Sequence, residues 1–428
     1  MIDYLIYHTP IYYLIQSVWR DEAFSYFMAR PNILEIVKNT ANDFNPPLYY
    51  LLLHFWINLV GRSDEGLRLL SFLPHLAGVY VAYLLAKQLT SKRFAVFVAT
   101  FTFFNPMLLY YAFEMRMYSF YAFFTLLSLY FIYQKRWTGY LIAGVLGLYS
   151  HSFYPLVIIS YLAVLFLTKQ LNKKNAVNIL KPFIFYLPWM YVLINQFQRS
   201  QNSWIYTVDI QLIKSVLGNL FINYEGTPGD LWGITTILSF IILFFLIIPL
   251  YNKKNLKKAY WAIIPIVLPL FLILGFSILR RPIFVNRYMI FVTVFEVIGI
   301  SWGIWSIKNN RLRAATAALW TAFIVLVNLI SPPYHKKTDY KSTFAEINRL
   351  ANTSDFIYSK TPISYLESVY YYRNSDHVFI HNPDNISIPY YIGITVVFPN
   401  ASRLSFPPKP SKTYLISDNA GYEIYINQ

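Results

Sequence analysis

Long apolar segments alternate with short polar connections along most of this chain. A helix needs about 20 apolar residues to cross a bilayer. Segments of this kind lie at 66–88, 94–112, 118–134, 138–151, 153–168, 180–196, 231–250, 260–279, 287–307 and 312–331. Residues Met1–Val18 form a weaker first segment, which contains Asp3, His8 and Pro10. The pattern predicts an all-α polytopic membrane bundle with about eleven transmembrane helices.

The pattern changes near Tyr334, where the apolar runs become short and the charges nearly balance. Runs typical of β-strands lie at 355–358, 377–380, 391–398, 413–416 and 422–426. Helices are predicted at 341–351 and 364–372. Short β-rich runs between helical segments indicate a compact domain with a sheet. We therefore predict a transmembrane domain over 1–333 and a small C-terminal extracytoplasmic α/β domain over 334–428.

Composition supports an integral membrane protein. Of the 428 residues, 56% are hydrophobic and 13% are charged, whereas soluble domains carry about 25% charged residues. The 19% aromatic content suits interfacial belts and can also stack on sugars. The chain has no cysteine, which excludes disulfides and thiolate chemistry.

The placement of the positive charges gives a topology. The formal net charge is +16, which by itself would be compatible with nucleic-acid binding. Basic residues cluster at every second connection, namely Lys87/Lys92/Arg93, Lys135/Arg136, Lys169/Lys173/Lys174, Lys253/Lys254/Lys257/Lys258 and Lys308/Arg311/Arg313. Cytoplasmic connections carry such an excess of Lys and Arg, so we predict a lipid bilayer and no nucleic acid as the partner. The connections Glu114–Met117, Ser150–Ser152, Gln196–Asp230 and Arg280–Asn286 then face outward, as does the C-terminal tail.

The short apolar segment 46–60 must fit this alternation of cytoplasmic and outward connections, which we call the charge parity. If it crossed the bilayer, the next span would run in the wrong direction. We therefore predict an interfacial or re-entrant helix within a first outer loop, with an ordinary span as the alternative, because charge rules sometimes fail locally.

Two acidic clusters flank this first outer loop. One is Trp19-Arg20-Asp21-Glu22, and the other is Asn42-Asp43-Phe44-Asn45. Ionisable groups at a bilayer boundary are retained mainly where they have a function. An adjacent Asp-Glu pair there suits a general base or a metal ligand that faces both water and lipid.

Four motifs occur in order: W-x-D-E-A-x-S from Trp19, N-D-x-N-P-P-L-Y-Y from Asn42, G-R-S-D-E-G-L-R-L-L-S from Gly61, and N-P-x-x-x-x-Y-A-x-E-x-R-x-Y from Asn105. Over about residues 19–300, this order resembles the polytopic glycosyltransferases of the C superfamily. The nearest branch is the protein O-mannosyltransferase and lipid A aminoarabinose transferase group. The resemblance implies a helical bundle with interfacial helices in the first outer loop. It also implies a polyprenyl-phosphate sugar donor and an active site on the extracytoplasmic side of the cell (inner) membrane.

The resemblance assigns roles to particular residues. It implies that Asp21 is the outer-loop catalytic acid, with Glu22 beside it, and that Glu114 is the second acidic element. It further implies substrate contacts from the residues that match its later motifs, namely Asp43, Tyr49, Arg116, Tyr118, Arg287 and Tyr288. The aminoarabinose branch has a Lys directly before the proline of the first loop, where this chain has Asn45. The chain is therefore more similar to the generic hexose and pentose transferases.

The chemistry of transfer from a lipid phosphate needs a base and a cation. A carboxylate must accept the acceptor's proton, and cations or a metal must stabilise the leaving phosphate. By parity, Arg280, Arg281 and Arg287 face outward, where the positive-inside rule disfavours them. A guanidinium fork suits phosphate, so these arginines are the predicted phosphate ligands, with Arg116 as a further one.

A divalent metal (Mg, Mn or Zn) is a possible cofactor. Its predicted ligands are Glu22, Glu114 and His151, although a lone histidine is more often a hydrogen-bonded structural residue. No Gly-rich phosphate loop is present, which disfavours a nucleotide-driven enzyme. The pattern does not identify the acceptor, which is a glycan, a lipid or a protein. Two alternatives stay open: a transporter or flippase of a lipid-linked sugar, and an accessory protein built on the same fold.

Overall fold

The computed structural model describes residues 2–199, 204–251 and 256–426. The helices of the first half are α1 (Ile2–Tyr7), α2 (Ile11–Ile15), α3 (Arg20–Ala29), α4 (Ile33–Ala41), α5 (Leu48–Val60), α6 (Asp64–Leu89), α7 (Lys92–Phe104), α8 (Pro106–Ala112), α9 (Tyr118–Tyr133), α10 (Trp137–Ser150), α11 (Tyr154–Leu167), α12 (Lys173–Arg199) and α13 (Ile210–Ile222). The later helices are α14 (Trp232–Ile247), α15 (Leu256–Leu279), α16 (Ile290–Trp305), α17 (Asn310–Ile330), α18 (Tyr340–Leu350), α19 (Tyr365–Tyr371) and α20 (Ile394–Val397). Lys253 and Lys254 of the predicted cytoplasmic connections lie outside the described residues.

The chain is a multi-span membrane protein with a mostly helical architecture, as predicted. Across the described ranges, six helical segments are long and apolar enough to cross a bilayer, or seven if one bent helix pair counts as a single span. They are Asp64–Leu89, Lys173–Arg199, Gly229–Tyr251, Leu256–Leu279, Asn286–Trp305 and Asn310–Ile330. Several remaining apolar helices have only 10–17 residues, so length and composition do not confirm the predicted count of about eleven.

The segment predicted as one span over 94–112 is broken in the structure. Helices α7 and α8 meet at an angle of 58°, with Asn105 between them. Its side chain accepts a hydrogen bond from the backbone N–H of Leu108, and Pro106 occupies the first turn of α8. Since proline lacks the N–H that a continuous helix would need, the break follows from this Asn-Pro pair.

Two other segments also differ from the prediction, namely the weak first apolar segment and one outward connection. Met1–Val18 contains the short helices α1 and α2, separated at Thr9-Pro10, and no single span. The predicted connection 196–230 contains helix α13, whose first turn is capped by the Asp209 carboxylate accepting from the Leu212 N–H at 2.7 Å.

The chain divides into two compact units. The bundle unit comprises the residues up to Tyr13 together with Arg68–Tyr334. The sheet unit comprises Leu14–Leu67 together with the residues from His335 onward. The sequence predicted domains of 1–333 and 334–428, and the units differ from that division chiefly in the placement of residues 14–67.

The sheet unit contains a five-stranded sheet in the order β3-β2-β1-β4-β5. Its strands are β1 (Phe356–Ser359), β2 (Val378–His381), β3 (Ser402–Arg403), β4 (Lys412–Ile416) and β5 (Tyr422–Ile426). Strands β3, β2, β1 and β4 pair in parallel, and β5 is antiparallel to β4. Four of the predicted strands are therefore present, and the small α/β domain is confirmed.

The fifth predicted strand, 391–398, is wrong. Its residues form a 3₁₀ turn followed by helix α20. Gly393 joins the two with a φ of +79°, and a Cβ there would lie 2.5 Å from the Phe24 ring. The apolar run thus packs against α3 with a left-handed residue at its centre, which an extended strand does not allow.

Helix α5 is the segment that parity placed at the membrane interface. Its 13 residues rise about 20 Å, whereas the hydrocarbon core is about 30 Å thick. It is anchored within the sheet unit, where His54 Nδ1 lies 2.8 Å from the Ala29 carbonyl and Trp56 donates to the Gly66 carbonyl. This length favours the interfacial helix over an ordinary span.

Candidate active site

The first turn of α3 separates the two adjacent carboxylates that the sequence singled out. Glu22 is fully buried. One of its carboxylate oxygens accepts from the backbone N–H of Trp19 at 3.3 Å and pairs with Lys337 Nζ at 3.0 Å. The side chains of Glu22 and Lys337 are 0% and 7% exposed. Glu22 therefore caps its own helix and forms a buried ion pair.

Asp21 is in a different environment. Its side chain is 18% exposed, and its Oδ1 lies 3.5 Å from Arg20 Nε. Because Asp21 precedes Glu22 by one residue on a helix, the two side chains point about 100° apart around the axis. Of the two acids, Asp21 is the one that a substrate hydroxyl can reach.

A third carboxyl group lies beside Asp21. Glu367 on α19 is buried, and its carboxylate accepts a hydrogen bond from the Arg20 backbone N–H. Burial raises the pKa of Glu367 to about 8. The nearby negative charge of Asp21 also raises it, and backbone hydrogen bonds and the Arg20 guanidinium partly offset this. Sequence reasoning missed Glu367, although a lone carboxylate in the aromatic run Tyr-Leu-Glu-Ser-Val-Tyr-Tyr was a usable signal.

Asp43 and Tyr49 flank the start of α5 in the same unit. Asp43 is buried, its N–H donates to the Thr40 carbonyl, and its Oδ2 lies 3.5 Å from Asn45 Nδ2. Tyr49 is 1% exposed and packs edge-to-face against Tyr50. These contacts hold the chain as it enters α5, and the predicted substrate role of both residues stays a prediction.

The bundle unit contains a second group of predicted site residues in the turn between α8 and α9. Glu114 and Arg116 are both buried there. The Arg116 carbonyl accepts from Ser71 Oγ at 3.0 Å, and its guanidinium carbon lies 5.9 Å from the centre of the Tyr118 ring. The turn is thus fixed to α6 while its charged side chains lie among aromatic rings.

His151 packs against aromatic rings of the same unit. It stacks on Tyr121 with ring centroids 4.6 Å apart and an interplanar angle of 9°, and its ring centroid lies 5.4 Å from that of Tyr288. Its Nδ1 accepts from the Phe153 N–H at 3.2 Å. A neutral imidazole with an accepting Nδ1 carries its proton on Nε2, and Nε2 has no hydrogen-bond partner within the described ranges.

Arg287 completes this group. Its Nη1 lies 3.7 Å from Glu225 Oε1, and its guanidinium carbon lies 5.2 Å from the Trp204 ring centre and 5.8 Å from that of Tyr288. Both Arg116 and Arg287 act electrostatically on His151. The bundle unit therefore brings together the predicted residues Glu114, Arg116, Tyr118, His151, Arg287 and Tyr288. Sequence reasoning missed Glu225 and Trp204, which lie in the segment treated as a plain connection.

Arg280 and Arg281 make different contacts from Arg287. Arg280 is exposed at the end of α15. The Arg281 guanidinium carbon lies 4.0 Å from the Phe197 ring centre, and its Nη2 donates to the Phe197 carbonyl.

The predicted metal ligands Glu22, Glu114 and His151 each have other contacts in the structure. Throughout the described part of the chain, no group of three or more His, Cys, Asp or Glu side chains could hold a metal ion. Glu22 pairs with Lys337, and the His151 tautomer presents an N–H at Nε2 in place of a metal-binding lone pair. The assignment of Glu22, Glu114 and His151 as metal ligands stays a prediction.

Residues 45–206 match a family model described as dolichyl-phosphate-mannose-protein mannosyltransferase. No functionally curated protein matches the chain by sequence. The sequence match covers three of the motifs noted above in whole or in part.

Solved structures share the fold along almost the whole chain. The crystal structure of ArnT from Cupriavidus metallidurans in the apo state has a TM-score of 0.59 at 13% identity, covering 97% of this chain and 91% of that chain. The structure of ArnT from the same organism bound to undecaprenyl phosphate has a TM-score of 0.60 at 14% identity, with the same coverage of both chains. A third structure is the archaeal oligosaccharyltransferase AglB from Archaeoglobus fulgidus in complex with an inhibitory peptide and a dolichol-phosphate. It has a TM-score of 0.52 at 11% identity, and the match covers 94% of this chain and 66% of that chain. The predicted resemblance to polytopic glycosyltransferases is confirmed, and the shared fold is shown.

Proposed function

We propose that this protein is an integral membrane glycosyltransferase. It moves a sugar from a polyprenyl-phosphate donor to an extracytoplasmic acceptor, which is a glycan, a lipid or a protein. The family match and the ArnT-like fold support the reaction class. The undecaprenyl phosphate and the dolichol-phosphate in two structural neighbours support the donor class. The sugar is a hexose or a pentose, because Asn45 stands where the aminoarabinose branch has a lysine.

Asp21 is the proposed general base. It takes the proton of the acceptor hydroxyl as that oxygen attacks the anomeric carbon of the donor. The bond from this carbon to the phosphate oxygen breaks, and polyprenyl phosphate leaves. The observation that supports this assignment best is the contrast within one helical turn, because Asp21 is accessible while Glu22 is buried in an ion pair.

The proposed phosphate ligands belong to the bundle unit. Arg287 is the first of them, because its Arg-Tyr pair matches the resemblance, and its guanidinium lies over the Trp204 and Tyr288 rings. A planar guanidinium binds phosphate through two parallel N–H bonds. Arg116 adds a second cation, and Tyr118 and Tyr288 supply aromatic walls.

The general-base assignment is tested by Asp21→Asn in purified protein. Transfer should fall by about two orders of magnitude or more, as removal of a general base typically does, while folding and membrane insertion stay intact. Asp384→Asn removes an exposed carboxylate from the same unit and should leave turnover unchanged. Normal turnover by the Asp21 variant would overturn the assignment.

The reaction class is tested separately by the release of product. Purified protein is given a panel of polyprenyl phosphosugars with candidate acceptors, and free polyprenyl phosphate is measured. Release that depends on both a donor and an acceptor supports the proposal. Repeating the assay after chelation tests whether transfer depends on a divalent metal.

The location of the active site is tested with introduced cysteines, because the chain has none of its own. Asn172→Cys lies in a predicted cytoplasmic connection, and Asn419→Cys lies in the C-terminal tail. We propose that an impermeant thiol reagent labels only position 419 in intact cells. Labelling of position 172 would overturn the charge-parity topology and the extracytoplasmic placement of the site.

One observation favours a transporter or flippase as the second candidate function. Glu296 lies within α16, it is fully buried, and neither carboxylate oxygen has a hydrogen-bond partner in the described part of the chain. Intramembrane carboxyl groups often belong to proton relays. Proton-coupled movement of a fluorescent lipid-linked sugar in proteoliposomes that is lost in Glu296→Gln would support transport over transfer.

A further inference from the structure

The sheet unit contains an open groove that the proposed chemistry does not use. Its volume is about 420 Å³, within the roughly 300–1,000 Å³ typical of small-molecule sites. Its polar lining comes from Arg62, Asp64, Glu65, Lys341, Asn348 and Tyr370. We refer to this feature as the polar groove.

Asp64 organises the floor of the polar groove. It is buried, and its two oxygens accept from the hydroxyls of Tyr370 at 2.9 Å and Tyr371 at 2.8 Å. Lys341 Nζ lies 3.2 Å from Asp64 Oδ2 and 3.1 Å from Glu65 Oε1. Because these partners fix one another, the groove has a preformed arrangement of donors and acceptors.

Arg62 forms the open edge of the groove. Its guanidinium carbon lies 4.5 Å from the Tyr370 ring centre and 5.7 Å from that of Tyr26. It makes no ion pair or hydrogen bond with the residues that the structure describes. The two rings hold an exposed guanidinium in place, so its five N–H donors face the groove and its solvent.

The charges of the groove indicate a neutral ligand. Arg62 and Lys341 balance Asp64 and Glu65, and the side chains of Glu65 and Lys341 are 41% and 45% exposed. A strongly anionic ligand would meet two carboxylates, and an apolar ligand would leave these charged groups without water. A ligand with many hydroxyl groups can both donate to Glu65 and accept from Arg62, and it can pack against Tyr370.

We propose that the polar groove binds a neutral, hydroxyl-rich glycan segment. The proposal rests on the glycosyltransferase function, since the segment would belong to the sugar chain that serves as acceptor. The groove would hold sugar residues away from the reacting hydroxyl and so contribute to acceptor affinity.

The test measures binding without catalysis. Purified full-length protein in detergent is titrated with three neutral trisaccharides, mannotriose, maltotriose and chitotriose, and with a trigalacturonate as the acidic counterpart. At least one neutral trisaccharide should bind, and Arg62→Ala should weaken it by about tenfold, as loss of a charged hydrogen bond does. Arg349→Ala removes an exposed arginine of α18 that does not line the groove, and it should bind like the wild type.

The results separate the groove from the catalytic proposal. Asp21→Asn should bind the same trisaccharide with unchanged affinity, even though it no longer transfers sugar. Binding of the trigalacturonate alone, binding of none of the four probes, or equal weakening by Arg62→Ala and Arg349→Ala would each overturn the glycan site. The loss of transfer activity in all donor assays with intact trisaccharide binding would overturn only the enzyme function.

Discussion

The two units arrange their charges in opposite ways. In the sheet unit, carboxylates and cations pair closely, as in Glu22 with Lys337 at 3.0 Å and Asp64 with Lys341 at 3.2 Å. In the bundle unit, Arg287 Nη1 lies 3.7 Å from Glu225 Oε1, and its guanidinium lies over the rings of Trp204 and Tyr288. Close lysine–carboxylate pairs thus fix these two buried carboxylates of the sheet unit, whereas the bundle-unit arginine is surrounded chiefly by aromatic faces.

This difference follows from what each unit must bind in the proposed reaction. A leaving phosphate needs cations that can form new bonds, and aromatic faces hold a guanidinium without occupying its N–H groups. A general base needs an accessible carboxylate in a rigid frame, and buried ion pairs supply such a frame.

The largest effect should come from Lys337→Met in the sheet unit. This change removes the Lys337 ammonium from the buried Glu22 carboxylate, and breaking one side of a buried pair typically costs about 3–5 kcal/mol. We expect a clearly lower thermal unfolding midpoint for the purified protein. The matched control is Lys360→Met, which breaks the Lys360–Glu423 pair, whose side chains are 40% and 53% exposed. Exposed pairs contribute little to stability, so equal shifts in both variants would contradict the structural role of the buried pair.

Much of this architecture could be predicted from the sequence, for physical reasons. Long apolar segments have few alternatives in a bilayer, and β-rich runs such as 413–416 pair wherever a sheet is available. The break at Asn105-Pro106 has a local signal, since proline cannot continue the α7 hydrogen-bond ladder. The apolar run 391–398 misled the prediction because its left-handed Gly393 is required by a tertiary contact with Phe24.

The charged partners were harder to predict than the motif residues. Lys337 lies over three hundred residues from Glu22 in the chain, and no local periodicity joins them. Glu367 is also over three hundred residues from Asp21, and Glu225 lies about sixty residues before Arg287, again with no local periodicity that joins them. Motif order singled out one member of each pair, and only the fold identifies the other.

The next effect concerns pH and Glu367. Its pKa is about 8 in the folded protein against an ordinary 4.5, chiefly because of burial. A raised folded pKa stabilises the protein fully below the unfolded pKa, and this contribution is lost as pH rises through about 8. Glu367→Gln cannot titrate, so the wild type should lose stability relative to this variant between about pH 5 and pH 8, by roughly 1.4 kcal/mol for each pKa unit. Unfolding midpoints across this range check the prediction, and parallel curves for both proteins would contradict it.

Arg287→Ala should have a smaller effect, confined to ligand binding in the bundle unit. We expect polyprenyl phosphate to bind at least about tenfold more weakly, or roughly 1.4 kcal/mol. Arg287→Lys should also weaken binding, because lysine offers a point charge and no planar fork. Binding is measured on protein that is still folded in detergent. An unchanged affinity would move the phosphate site to Arg116.

The smallest effect is expected for Arg281→Ala, which separates the three outward arginines that the sequence grouped together. The Arg281 guanidinium packs on the Phe197 ring and donates to the Phe197 carbonyl, so it anchors the end of α12 and is not poised for phosphate. Polyprenyl phosphate affinity should therefore change by less than about threefold, roughly 0.6 kcal/mol. The same binding assay used for Arg287→Ala gives the comparison. A loss as large as that of Arg287→Ala would show that both arginines contribute to phosphate binding.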